Sequence, residues 1–399
     1  MDELLFLAHR IPYPPNKGDK IRSWNFLRHL AQQYRVYLGC FIDDGDDWRH
    51  TESLRRLCQD CFFAPLAPRR ARLRSLRGLF NRQPLTLPYF YDATLDRWVT
   101  EVLARPGLTR VLAYCSAMAQ YIPLDVRRSR RCIADVVDVD SEKWFDYADR
   151  MPKVTAWILK REGTRLRRFE QEIAGTFYRT LVATQAEQVL YRSFAAESAQ
   201  QIVCVRNGVD IDYFNPDRRY DRPAQMSGTP LVFTGAMDYW PNVDGATHFV
   251  RSILPLIRSR IPDARVFIIG ANPTRQVKSL HNGESVVVTG RVPDVRPFVA
   301  HAKAIIVPLR IARGVQNKIL EGMAMAKPVI ASAEAIAGVN GVAGLDFMVA
   351  ASADEFADAV FKVTKSEIGA TMGQNARKRI VTDYQWPERV REVEAMFRA

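Results

Sequence analysis

Short continuous apolar runs alternate with stretches of helical periodicity along nearly the whole chain, and this alternation constrains the fold more than any other feature. In the first half the runs are LLFLA (4–8), VYLGCF (36–41), VLAY (111–114), CIADVV (132–137), LVAT (181–184) and IVCV (202–205). In the second half they are LVFTG (231–235), RVFIIG (265–270), VVVTG (286–290), AIIVPL (304–309), PVIAS (328–332) and FMVA (347–350). Strands with no polar alternation must be covered on both faces, as in parallel sheets flanked by helices. The two series are separated by RNGVDIDYFNPD and RRYDRPAQMSGTP (206–230), which are rich in turn formers and charge. With 399 residues the chain also exceeds what one core usually serves. The reading is therefore α/β: two Rossmann-like, doubly wound parallel-sheet domains facing across a cleft. The expected boundaries are 1–206, a linker at 207–229, and 230–384. A final helix over 385–399 places Trp386, Val390, Val393 and Phe397 on one face and needs an apolar surface on the first domain.

Composition narrows the class. No stretch is long and apolar enough to cross a membrane, and MDELLFLAHR has the wrong charge for a signal peptide, so a cytoplasmic location is expected. The six cysteines are scattered, and only Cys58 and Cys61 form a C-x-x-C, which fits reduced thiols better than a metal site. Net charge is +13. PRRARLRSLRGLF (68–80) sets Leu73, Leu76, Leu79 and Phe80 among arginines, and KREGTRLRRF (160–169) repeats the basic bias. Such segments either rest reversibly on an anionic inner-membrane surface or are solvated helix faces. No zinc-finger, RNP-like or helix-turn-helix pattern accompanies the charge, so nucleic acid is not an expected partner.

Parallel sheets bind ligands beyond the carboxyl ends of their strands, so the loops there are where chemistry is sought. After the first run, HRIPYPPNKGDKIRSW (9–24) has stiffening prolines, Gly18 for close approach, and Asp19 as a possible cap. Lys20 and Arg22 in the first turns of that helix oppose its dipole and suggest that an anion visits. His9, Asn16, Lys17, Gly18 and Arg22 are the candidates here. In ADVVDVDSEKW (134–144), Asp138, Asp140 and Ser141 follow a strand; hydroxyl contacts or simple capping fit better than a metal-binding D-x-D. In the second half, Gly235 and Asn242 flank a helix start suited to phosphate, and the exposed backbone at Arg291 and Val292 could read a base edge. Gly314, Val315 and Gln316 open a helix expected from Val315 to Met325, with Lys318 and Glu321 sharing one face. Glu321 is placed to hold a ribose diol, and Lys318 to neutralise a diphosphate.

The blocks PYPPNKG (12–18), RNGVD (206–210), FTGAMDYWPN (233–242), TGRVPDV (289–295) and GVQNKILEGMAMAKPVIAS (314–332) together resemble glycosyltransferase family 4, the group 1 retaining transferases of the GT-B fold. With DVDSEKW (138–144), the chain looks most similar to members associated with exosortase-type exopolysaccharide systems. The resemblance implies a nucleoside-diphosphate sugar held mainly by the second domain, a saccharide or lipid-linked acceptor held mainly by the first, and neither cofactor nor metal. It maps the second glutamate of an E-x7-E motif to Glu321. The first would fall at position 313, where this chain has arginine. A basic pair carried by many relatives is replaced by Ala236, Met237 and Asp238. The expected catalytic set is Lys318, Arg313 and Asp138, with the leaving phosphate itself taking the acceptor's proton. Rival expectations are a sugar-nucleotide epimerase and a non-catalytic binding subunit.

Overall fold

A computed structural model describes residues 1–80, 83–149 and 151–398; the side chains of Arg77 and Phe80, both in the basic segment 68–80 above, lie outside the described residues. The chain divides into two compact units, Met1–Arg206 together with the stretch from Pro387, and Asn207–Trp386.

The first unit is built on a seven-stranded sheet of order β3-β2-β1-β4-β5-β6-β7. Its strands are β1 Asp2–Ala8, β2 Tyr34–Ile42, β3 Asp60–Pro65, β4 Leu108–Tyr114, β5 Arg131–Val137, β6 Arg179–Val182 and β7 Ile202–Cys204. Every pairing is parallel. Leu4 to Ala8 and Val111 to Tyr114 are buried without alternation, as strands covered on both faces must be. The strand β3 was not expected. Its segment DCFFAP is short, begins with an exposed aspartate and sits at the sheet edge, where apolar patterning is weakest.

The second unit carries a six-stranded parallel sheet of order β10-β9-β8-β11-β12-β13. These strands are β8 Thr229–Thr234, β9 Ala264–Ile269, β10 Val286–Gly290, β11 Ala304–Val307, β12 Val329–Ala331 and β13 Met348–Val349. The stretch expected as a linker is part of this unit: Val209, Phe214 and Met226 are buried in its core. The helix Asn317–Ala324 packs closely on the sheet, because a Cβ on Gly322 would meet Ile305 Cγ1 at 2.8 Å. A larger residue there would push the helix, and the side chains at its start, away from β11.

The last helix, Trp386–Arg398, buries Trp386, Val390, Val393 and Phe397. From Pro387 onward it belongs to the first unit, where Phe397 lies edge-on to Tyr34 with ring centroids 6.1 Å apart.

Candidate functional site

The strand order of each sheet reverses next to its first strand, between β8 and β11 in the second unit. Loops leaving two such neighbouring strands in opposite directions open a crevice at their carboxyl ends. The loop after β8 supplies Gly235 and Asn242; the connection after β11 leads to Lys318 and Glu321. Asn242 lies within the first turn of the helix Trp240–His248 rather than before it, with Pro241 tolerated at a position whose N–H has no helical partner. Buried Asn242 donates from Nδ2 to the Ala236 carbonyl at 2.9 Å and accepts from Lys318 Nζ at 2.6 Å. A Cβ on Gly235 would stand 2.7 Å from Asn242 Nδ2 and 3.2 Å from Lys318 Nζ. The three residues therefore meet at one point although 83 positions separate the first from the last (318 − 235).

Lys318 lies over the ring of Phe233 at 4.9 Å, a contact that sequence reading missed although Phe233 ends an obvious strand. Burial lowers the Lys318 pKa to about 8, against the attraction of Glu321. Burial likewise raises Glu321 to about 7, against the attraction of Lys318. The two share a helical face as their spacing predicts, and the ammonium donates its hydrogen bond to Asn242. A cation and a carboxylate thus stand at the crevice with neither charge fully compensated, which is the state expected of groups awaiting a charged, hydroxylated ligand.

The helix opens later than expected, at Asn317, with Gln316 as its extended N-cap residue and Gly314 at φ 65° turning the chain. Gln316 Nε2 donates to the Arg313 carbonyl at 3.1 Å, while half-buried Val315 packs against the core. Asn207, from the RNGVD block, approaches Asn317 at 3.5 Å. Arg310 is committed elsewhere, to Asp244 through Nε at 3.0 Å. Arg291 is exposed and Val292 half-buried after Gly290, which has φ 71°. Nearby, Arg296 stacks on the Tyr213 ring at 3.8 Å.

In the first unit the structure corrects several expectations. Arg22 is not available to an anion: it is 1% exposed, with Nε 2.7 Å and Nη2 3.0 Å from the two oxygens of Asp135, and Nη1 2.9 Å from the Val205 carbonyl. Lys20 is equally buried and donates to Asp47 at 2.5 Å. Both basic residues are tolerated near the helix start because buried carboxylates meet them. Asp19 lies in the first turn and caps nothing as an N-cap; Lys17 holds that position. Burial opposes its charge, but the His9 and Arg10 contacts at 3.3 and 2.7 Å hold its carboxyl well below the usual range. Burial works against charge on His9, while Cys115 and Asp19 push its pKa up, and Nε2 lies 3.3 Å from the Asp19 carboxylate. Asn16 and Gly18 are exposed and Lys17 half-buried on the loop beside it.

Ser141 is fully buried and donates to Glu170 at 2.5 Å, which makes it a packing residue rather than a ligand contact. Asp138 and Asp140 are bridged by Lys143 at 3.2 and 2.9 Å, and Asp140 also accepts from Ser116 at 3.0 Å. The two carboxylates share the one ammonium of Lys143, and Asp138 Oδ1 is shielded from solvent without a hydrogen-bond partner.

Residues 228–366 match the family described as "Glycosyl transferases group 1". A comparison with curated protein sequences finds no match. Among solved structures, sucrose-phosphate synthase of Thermosynechococcus elongatus is 16% identical with a TM-score of 0.72, covering 100% of this chain and 98% of that one. HepE of Anabaena, in complex with UDP and glucose, is 14% identical with a TM-score of 0.69 and full coverage of both chains. WaaG, a glycosyltransferase involved in lipopolysaccharide biosynthesis, is 14% identical with a TM-score of 0.67, covering 98% of this chain and 99% of that one. Within the second unit, residues 228–366 are thus similar to group 1 glycosyltransferases, and the chain is built from the two Rossmann-like halves of the GT-B fold.

Proposed function

We propose that the protein transfers a sugar, with retention of anomeric configuration and without a metal, from a nucleoside-diphosphate sugar to a saccharide acceptor. The observation that carries this reading is the meeting of Gly235, Asn242 and Lys318 at the switch point of the second sheet, with Glu321 one helical turn further on. In this reading the diphosphate lies against Gly235 and the opening of the helix Asn317–Ala324, where free N–H groups and Lys318 face the charge that grows as the bond to the sugar breaks. Gly314, Val315 and Gln316 form that opening, and Glu321 takes the ribose diol. The backbone at Arg291 and Val292 reads the base. Arg313 meets the diphosphate in place of the glutamate that relatives use for the sugar. The leaving phosphate accepts the acceptor's proton, so no protein nucleophile is needed.

His9, Asn16, Lys17 and Gly18 of the first unit then serve the acceptor, with His9 donating to a hydroxyl or phosphate. Exopolysaccharide or other cell-envelope glycan synthesis in the cytoplasm, on a lipid-linked acceptor, is the setting that the sequence resemblance supports. Docking on the anionic inner leaflet would use the helix Pro68–Ser75, where Leu73 is 71% and nearby Leu76 47% exposed beside exposed Arg69, Arg70 and Arg72. The second basic segment is less suited, because Lys160 pairs with Asp149, Arg161 donates to the Gly78 carbonyl, and Arg167 pairs with Glu142.

The arginine at position 313 favours one alternative, a subunit that binds sugar nucleotides without turning them over. Screening UDP-, GDP- and ADP-sugars for thermal stabilisation, followed by product analysis with a saccharide acceptor, separates the two. Stabilisation with glycoside formation is the expected result. Stabilisation without any product would establish the binding subunit, and isomerised nucleotide sugar would establish an epimerase.

A further inference from the structure

We propose that the first unit carries a binding site for a small, multiply charged phosphate anion at the edge of its sheet opposite the strands' carboxyl ends. A groove of about 610 Å³ opens there. Its walls include Arg128, Arg130, Arg131 and Arg179 around Tyr178, and no acidic residue lines it. Arg131 and Arg179 are the first residues of the neighbouring parallel strands β5 and β6, so the parallel arrangement itself brings them to one edge. Each guanidinium packs on the Tyr178 ring, at 4.2 and 4.3 Å from its centroid. One aromatic side chain therefore fixes two guanidinium planes and leaves donor edges for oxygen ligands.

Among the described residues, Arg128, Arg130, Arg131 and Arg179 make no ion pair, although 44 acidic residues were there to supply one. Arg127 is the contrasting case. It is buried, donates to the carbonyls of Ile122 and Ala119, and is neutralised by Glu172 at 2.8 Å. Arg130 Nη1 is shielded from solvent without a hydrogen-bond partner. Four like charges held at the rim of one groove repel each other, and burial of part of a guanidinium without an acceptor adds to that cost. An anion with several oxygens relieves both at once, through paired N–H donors that match phosphate geometry. The concavity favours a small soluble anion over a bilayer, whose flat surface would not reach the groove's floor.

The test is calorimetric titration of the full-length protein with inorganic tripolyphosphate at low ionic strength. Saturable binding is expected to persist in the Lys318→Ala background, which disables the second unit's diphosphate seat, and in that background to weaken about tenfold or more in Arg131→Gln/Arg179→Gln. If the double variant does not fold by circular dichroism, the exposed Arg128→Gln carries the test, with about threefold weakening expected. Absence of saturable binding in the Lys318→Ala background, binding there that the arginine variants leave unchanged, or arginine-dependent binding to anionic lipid vesicles without binding of tripolyphosphate would each overturn the proposal.

Discussion

Glu321→Gln separates the cost of the candidate site from its use. The carboxyl is raised from 4.5 to about 7, chiefly by burial, so the folded protein holds its proton over a pH range where the unfolded chain has lost it. Between those values the folded state binds more protons, and stability falls as pH rises from about 4.5 through 7, then levels off. The distance between those two values sets a ceiling of about 3 kcal/mol. Solvent still reaches part of this side chain, so about half of that is the better expectation. Removing the charge should stabilise the second unit by about 1–2 kcal/mol at pH 8, or about 2–8 °C in Tm for a domain of this size, and by almost nothing at pH 4.5. Donor use should move the other way. Loss of a charge-assisted contact to the ribose costs about 2 kcal/mol in kcat/KM, some thirtyfold, and Glu321→Ala about 2–4 kcal/mol. Thermal unfolding at the two pH values and initial rates with the donor identified by screening are the assays. A glutamine variant with wild-type turnover would refute the ribose assignment, and one that melts lower at pH 8 would refute the burial argument.

Further perturbations test neighbouring elements. The wild-type kcat/KM should fall below pH 7 as Glu321 takes up a proton and above pH 8 as Lys318 loses one, giving a bell whose alkaline limb disappears in Lys318→Ala. Arg313→Lys and Arg313→Glu should impair the diphosphate donor more than the corresponding nucleoside monophosphate, with Glu worse; equal effects, or a gain of activity in Arg313→Glu, would return that position to the sugar. Arg22→Ala should destabilise the first unit by about 3–5 kcal/mol in denaturant unfolding, since it strands Asp135 without a counter-charge, and near-neutral stability would contradict its structural assignment. Neutralising Arg69, Arg70 and Arg72 should weaken sedimentation with anionic liposomes by about 1 kcal/mol per charge, whereas unchanged sedimentation identifies a merely solvated helix.

The twelve apolar runs read from the sequence each overlap a strand, because a short, mostly apolar run without alternation bounded by turn formers suits a strand covered on both faces, and that information is local. The same locality explains β3: at an edge, DCFFAP needs no continuous apolar pattern and shows none. At the candidate site, Gly235, Asn242, Lys318 and Glu321 could each be singled out from loop chemistry and spacing. That Lys318 donates to Asn242 rather than to its helical neighbour Glu321 follows from the strand order, which sets β8 beside β11. Charge partners are still further from sequence reach. Arg22 looked like an anion's host until Asp135, 113 residues away, proved to be its counter-charge, and the arginines around Tyr178, far apart in sequence, are gathered by parallel strands. Periodicity records which face of an element is buried, whereas the sign and satisfaction of a charge depend on what the fold places within a few ångströms of it, and only tertiary structure decides that.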